Sequence, residues 1–70
     1  MILEIGIVAG DIWHYLDEHG LVTLPKLIKG INQPKQVVLM SLGWLAREGH
    51  VKIEANGEYK VCLTKKSEFE

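Results

Sequence analysis

Apolar residues recur along the start of the chain as Ile5, Val8, Ala9, Ile12, Trp13 and Leu16. That i, i+3, i+4, i+7, i+8, i+11 spacing is a continuous helical stripe, and it predicts an amphipathic first helix with Trp13 in the core. Gly20 is placed to close this helix as a C-terminal cap. Residues 21–24 read as a brief extended link, a candidate for a short first strand. Thr23 then offers an N-cap and Pro25 a first-turn position for a second helix, whose apolar side is Leu27, Ile28 and Ile31. Gly30 ends that helix. Asn32 is expected to cap the third helix, with Pro34 in its first turn. A short helix, a tight Gly-containing turn and a longer third helix form a helix-turn-helix.

Beyond Gly49 the period changes from helical to alternating. Val51 and Ile53 alternate with Lys52 and Glu54, and Tyr59, Val61 and Leu63 alternate with Lys60 and Cys62. Asn56-Gly57 between these runs predicts a β-hairpin. A two-residue Asn-Gly turn would set Ile53 across from Lys60 and mix the faces. A three-residue loop, Ala55-Asn56-Gly57, pairs Ile53 with Tyr59 and Val51 with Val61 and is the expected register. Three helices followed by a two-stranded hairpin wing make an α+β, mainly α fold: a winged helix-turn-helix. It is read as a single domain over residues 1–66, with residues 67–70 as a disordered tail.

Composition narrows the class. Seventy residues, nearly half of them apolar and without a low-complexity run, describe one small globular domain. Such a chain buries only about 60% of its unfolded surface, so natural domains of this size often lean on a disulfide, a metal or a partner. Cys62 stands alone, and His14, His19 and Cys62 lack the paired spacings of a zinc site. Association with another chain is the route left open. Residues 1–10 carry Glu4 and no basic start, which argues against a signal peptide or a membrane span. A cytoplasmic location is the default expectation.

The net charge of −1 hides an uneven distribution. Residues 1–20 contain Glu4, Asp11, Asp17 and Glu18 without a Lys or Arg, whereas residues 21–66 hold all eight basic residues against three glutamates. A basic face meeting an anionic partner is compatible with this polarity, although the overall balance is far from strongly basic.

The segments Ala9-Gly10-x-Ile12-Trp13-x-x-Leu16 and Leu42-Gly43-Trp44-Leu45-Ala46-Arg47-Glu48 carry a resemblance over residues 5–63. The chain resembles the small bacterial and archaeal winged helix-turn-helix domain proteins of uncharacterised function. The resemblance implies the fold and a DNA-binding class, without site residues to carry over. Members often follow the Arg-Glu pair with a polar residue and a lysine; Gly49-His50 stands here instead.

On the third helix, Val38, Leu42 and Leu45 share the core side, with Ala46 at its edge. Gln36, Met40, Gly43 and Arg47 lie roughly opposite, with Val37 and Trp44 between the two zones. In a helix-turn-helix the exposed side of the second helix of the motif enters the major groove. Gln36 and Arg47 are therefore candidate base readers and Lys35 a candidate phosphate contact. On the wing, Lys52 and Lys60 could meet phosphates, with Lys65 and Lys66 extending the contact; the alternative is a solvated edge guarded by lysine. Lys26 and Lys29 have the same two readings. Trp44 also has two. The preferred one wedges it against the wing near Tyr59 or Val61; the other makes Val37, Met40 and Trp44 an apolar interface patch. Gly43 admits either a close external approach or a tight intramolecular crossing, and Gly6-x-x-x-Gly10 hints at tight packing.

Catalysis finds no motif. The chain has no nucleophile elbow, P-loop or dinucleotide turn; His14 and Glu18 read as a surface pair, His50 as structural, and Cys62 as an outward-facing thiol. No enzymatic activity, cofactor, metal or small-molecule substrate is expected. The expected function is modest, largely electrostatic duplex DNA binding, of the kind a small transcriptional regulator needs. The alternative is a protein-interaction module or homodimer using helix three and the wing.

Overall fold

A computed structural model of the chain describes residues 2–64. Along the chain run α1 (Ile2–His19), β1 (Val22–Thr23), α2 (Leu24–Gly30), α3 (Lys35–Arg47), β2 (Val51–Asn56) and β3 (Glu58–Leu63). This is the mainly α winged helix-turn-helix expected. The extended link is a strand: β1 pairs antiparallel with β3, giving a three-stranded sheet in the order β1-β3-β2. The expected tail at 67–70, and Lys65 and Lys66, lie outside the described residues.

Local chemistry accounts for most of the helix ends. Gly20, at φ +72, donates its N–H to the Leu16 carbonyl at 2.8 Å and closes α1. Thr23 caps α2, its Oγ1 accepting from the Lys26 N–H at 3.4 Å, and Pro25 sits in the first turn. Asn32, however, does not cap α3. The N-cap is Pro34, without a side-chain cap hydrogen bond, because residues 31–33 are drawn into a turn in which the Gln33 N–H reaches the Ile31 carbonyl at 2.8 Å. Asn32 therefore lies too far upstream to reach the first turn of α3. At the other end, the Gly49 N–H bonds to the Ala46 carbonyl at 3.1 Å and the His50 N–H to the Leu45 carbonyl at 2.9 Å. That pair is a Schellman motif, and Gly49, at φ +80, takes its left-handed position. The His50 carbonyl also accepts from the Thr64 N–H at 3.0 Å, tying the end of α3 to the end of β3.

The hairpin register differs from the expected one by two residues. Ile53 pairs with Val61 and Val51 with Leu63, where pairing with Tyr59 and Val61 was predicted; Ala55 now faces Tyr59. The alternation of faces survives, because a shift of two preserves the side-chain period. The turn is centred on Gly57, at φ +89, between Asn56 and Glu58. In this register Leu63 gains an apolar partner at the base of the wing instead of overhanging it. Val61 in the central strand is flanked by Ile53 and Val22, and it is fully buried.

The core joins one face of every element. Val8, Ala9, Ile12 and Leu16 of α1 meet Val38, Leu42 and Leu45 of α3, with Leu27, Ile31, Val22, Val51 and Val61 closing it from the other sides. Ser41 is also fully buried and donates its hydroxyl to the Val37 carbonyl at 2.7 Å, so its polar group is not stranded there. Where α1 meets α2, Gly30 lies against Tyr15: a Cβ there would stand 2.5 Å from the ring, so the ring would have to move to admit one.

Neither tryptophan is in the core. Trp13 is 39% exposed and Trp44 48% exposed. Trp13 sits at the border of the α1 stripe, beyond Ala9 and Leu16. Trp44 lines a groove with Gly6, Ala9, Gly10 and Trp13 of α1 instead of filling core volume. Ala9 and Leu45 are buried where α1 and α3 meet, and the two indoles lie around the shallow groove beside them.

Candidate functional site

The outer side of α3 is built by its own period. Gln36, Met40, Gly43, Trp44 and Arg47 are exposed in succession along it, while Val38, Ser41, Leu42 and Leu45 fill the interior. Lys35 opens the helix and is exposed. Because Pro34 provides no side-chain acceptor, the first-turn N–H groups of α3 lack a side-chain cap, and Lys35 stands beside them. That combination of uncapped amides, positive dipole end and ammonium suits a phosphate. Val37 is buried, which removes it from the candidate apolar patch with Met40 and Trp44. Gly43 has open space around it: a Cβ there would meet nothing within 4 Å. A tight intramolecular crossing therefore does not explain this glycine.

Two grooves flank α3. On the α2 side, Leu24, Pro25 and Ile28 face Leu39 across an apolar groove of about 510 Å³ whose rim includes Lys29 and Lys35. On the α1 side, Gly6, Ala9 and Gly10 form the floor of a shallow groove of about 300 Å³, with Trp13, Trp44 and His50 around it. The chain's two tryptophans are thus brought to one site, although they stand 31 residues apart in sequence. Neither Leu39 nor this second groove was anticipated. The available signal was the spacing of Gly6, Gly10 and Trp13 at i, i+4, i+7, which places two missing side chains beside an indole.

The wing contributes less positive charge than its lysines suggest. Lys52 is exposed on the edge strand β2. Lys60 is half-buried on the central strand β3, where it pairs with Thr23 on one side and Glu54 on the other. With Glu58 at the turn, the two lysines of the hairpin are matched by two glutamates. Among the helices the segregation is sharper. Helix α1 carries four carboxylates and no Lys or Arg; α3 carries Lys35 and Arg47 and no carboxylate.

His14 and Glu18 are exposed on α1, and the Trp13 and His14 rings meet edge to face at 5.6 Å. Cys62 is half-buried. Among the described residues no three His, Cys, Asp or Glu side chains gather into a group able to hold a metal. No helix there is long and apolar enough to cross a membrane.

With this architecture in view, the family comparison is decisive: the model of a winged helix-turn-helix domain family, DUF2582, matches residues 1–65. The chain belongs to this family. The DUF2582 domain described here is similar to protein BT2368 from Bacteroides thetaiotaomicron, known from a solution NMR structure. The two share 31% sequence identity and a TM-score of 0.78, over 96% of this chain and 80% of that one. No curated protein matches the chain. The winged helix-turn-helix is a fold associated with DNA binding and regulation, and it typically serves as a non-enzymatic binding module. Fold alone does not assign a function within DUF2582.

Proposed function

We propose that this protein is a non-enzymatic duplex DNA-binding module, a small transcriptional regulator of modest and largely electrostatic affinity. The observation that carries the reading is the start of α3, where first-turn amides without a side-chain cap, exposed Lys35 and exposed Gln36 stand together. In this reading α3 enters the major groove, Gln36 and Arg47 reach base edges, and Lys35 meets a phosphate. Lys52 and Lys60 make auxiliary backbone contacts from the wing, limited by the glutamates that accompany them. The sparse charge of the reading face and the near-neutral chain keep the affinity low.

The test is fluorescence anisotropy of a labelled random duplex pool at low and near-physiological salt. Binding that weakens with salt is expected. Replacing Lys52 and Lys60 by Ala should weaken it and flatten the log–log salt slope by about 0.9 for each phosphate no longer neutralised. Unchanged affinity and slope in that double variant would remove the wing from the interface. Absence of binding at low salt would refute the DNA reading.

A second reading has its own observation. Met40 is 42% exposed and adjoins Trp44 on the outer side of α3, giving an apolar surface where a groove reader would carry polar groups. Protein interaction through α3 and the wing, most simply as a homodimer, follows from it. Mass should then rise with concentration and Met40→Glu should reverse the rise.

A further inference from the structure

We infer that the groove between α2 and α3 docks the outer side of α1 from a second copy of this chain, with Ile7 entering between Leu24, Ile28 and Leu39. The inference goes beyond the readings above, because neither the outer side of α3 nor the wing takes part.

The groove is apolar where the fold leaves it open. Leu24 and Ile28 pack against the core yet stay half-buried, and Pro25 beside them is exposed. Across from them Leu39 is 39% exposed, although Val37 and Val38 just before it are buried. The space between is about 510 Å³, within the roughly 300–1,000 Å³ of sites that receive a compact ligand. A phosphate backbone has no apolar side chain to place there.

The outer side of α1 has one. Ile7 is 57% exposed. Glu4 stands three residues before it and Asp11 four after, the spacings at which helical side chains are neighbours. Glu18, seven residues beyond Asp11, continues the same side. All three carboxylates are exposed, and the stripe that meets the core, Val8, Ile12 and Leu16, lies roughly opposite. The result is an acidic ridge with an apolar side chain on it.

Charge selects the occupant. Lys29 and Lys35 line the groove, one from each helix, and among the described residues no carboxylate lines it. The imbalance is general. Helix α1 has four carboxylates and no Lys or Arg, whereas residues 24–47 hold Lys26, Lys29, Lys35 and Arg47 and no Asp or Glu. Each copy therefore carries both halves of a complementary pair, an acidic ridge with an apolar centre and a basic rim with an apolar floor. Exposed ion pairs add little affinity, so the charges select the partner while burial of Ile7 and Leu39 holds it. Two different surfaces meet, and the contact is head-to-tail.

Mixing variants of the full chain tests the proposal. Ile7→Gln removes the apolar centre of the ridge and keeps a good helix former; Lys29→Glu/Lys35→Glu reverses the rim. All three positions are exposed, so circular dichroism should be unchanged. In sedimentation velocity from micromolar to millimolar concentration, the parent mass should rise with concentration and fall back as salt is added. Each variant alone should associate at least about tenfold more weakly. An equimolar mixture of the two should recover association and stop at a mass of two chains, because the ridge of the charge-reversed chain still fits the groove of the Ile7→Gln chain. A parent that stays monomeric to millimolar concentration would overturn the inference. So would a mixture no more associated than its parts, or association that survives in both variants. Association broken by Met40→Glu and untouched by Ile7→Gln would also refute this contact and leave the α3-face homodimer standing. No DNA is present in these measurements, so they are independent of the DNA reading.

Discussion

Replacing Gly30 by alanine should destabilise the domain, although the same change usually strengthens a helix. The new Cβ would stand 2.5 Å from Cε1 of Tyr15, 2.6 Å from Cζ and 2.8 Å from the phenolic oxygen. Ordinary contact needs about 3.5–4.0 Å, so the ring must retreat by roughly 1 Å. It cannot do so freely, because Tyr15 packs against the core and its ring lies over His19 with centroids 4.2 Å apart. Overpacking of this kind costs about 1–3 kcal/mol. Alanine recovers less than about 1 kcal/mol of helix propensity, since Gly30 is the last residue of α2. The balance is a destabilisation of about 1–2 kcal/mol, or a fall in Tm of about 4–15 °C for a chain of this size. Thermal and urea unfolding followed by circular dichroism measure it, and two controls isolate the cause. In a Tyr15→Ala background the Gly30→Ala change should cost nothing. Gly10→Ala, with open space around the new methyl, should stabilise by up to about 1 kcal/mol at concentrations where the chain is monomeric. If Gly30→Ala were as stable as the parent, or equally costly with and without Tyr15, the close approach of α1 and α2 would not be what demands the glycine.

Three further outcomes follow from the packing and the turns. Leu27, fully buried between α2 and the rest of the core, should cost about 2–5 kcal/mol on truncation to alanine; since a domain this small holds about 3–5 kcal/mol from its core, the variant should be largely unfolded by circular dichroism. Thr23→Ala removes the α2 cap and should cost about 0.5–1 kcal/mol, the low end of the capping range because the hydrogen bond is long at 3.4 Å; urea unfolding reads it. Gly57→Ala forces a side chain into a left-handed position at φ +89 and should cost about 1–2 kcal/mol, visible in the same titration, whereas an unchanged midpoint would mean that the wing tip does not contribute to the cooperative unit.

The elements were legible because their signals are local. The α1 stripe, the Gly20 cap, Thr23 with Pro25, and the change of period after Gly49 each depend on residues within a few positions of one another. Where the reading failed, the deciding interaction was remote or competitive. Asn32 is an excellent N-cap residue, but the turn at residues 31–33 fixes the start of α3 further along. Both Ala55-Asn56-Gly57 and the observed turn keep the strand faces aligned, so alternation alone cannot choose between registers two residues apart. For the candidate site, the order of Gln36, Met40, Gly43 and Arg47 along one side of α3 is simple helical geometry and was readable. The position of Glu54 opposite Lys60 was not, because it depends on that register.

By itself, then, the amino-acid sequence determined the identity and order of the elements, the composition of the main core and the separation of acidic α1 from basic α3. Periodicity and capping act through the chain's own near neighbours and need no knowledge of what lies across the fold. The tertiary structure alone decided the fate of borderline residues. Val37 and Trp44 both lie between the inner and outer zones of α3, yet Val37 is buried and Trp44 is half-exposed. Trp13 rides the edge of the α1 stripe and shares its fate. A side chain at the margin of a helical face is buried only if a neighbouring element arrives close enough to cover it. How α1 and α3 pack decides that coverage, and neither helix encodes it alone.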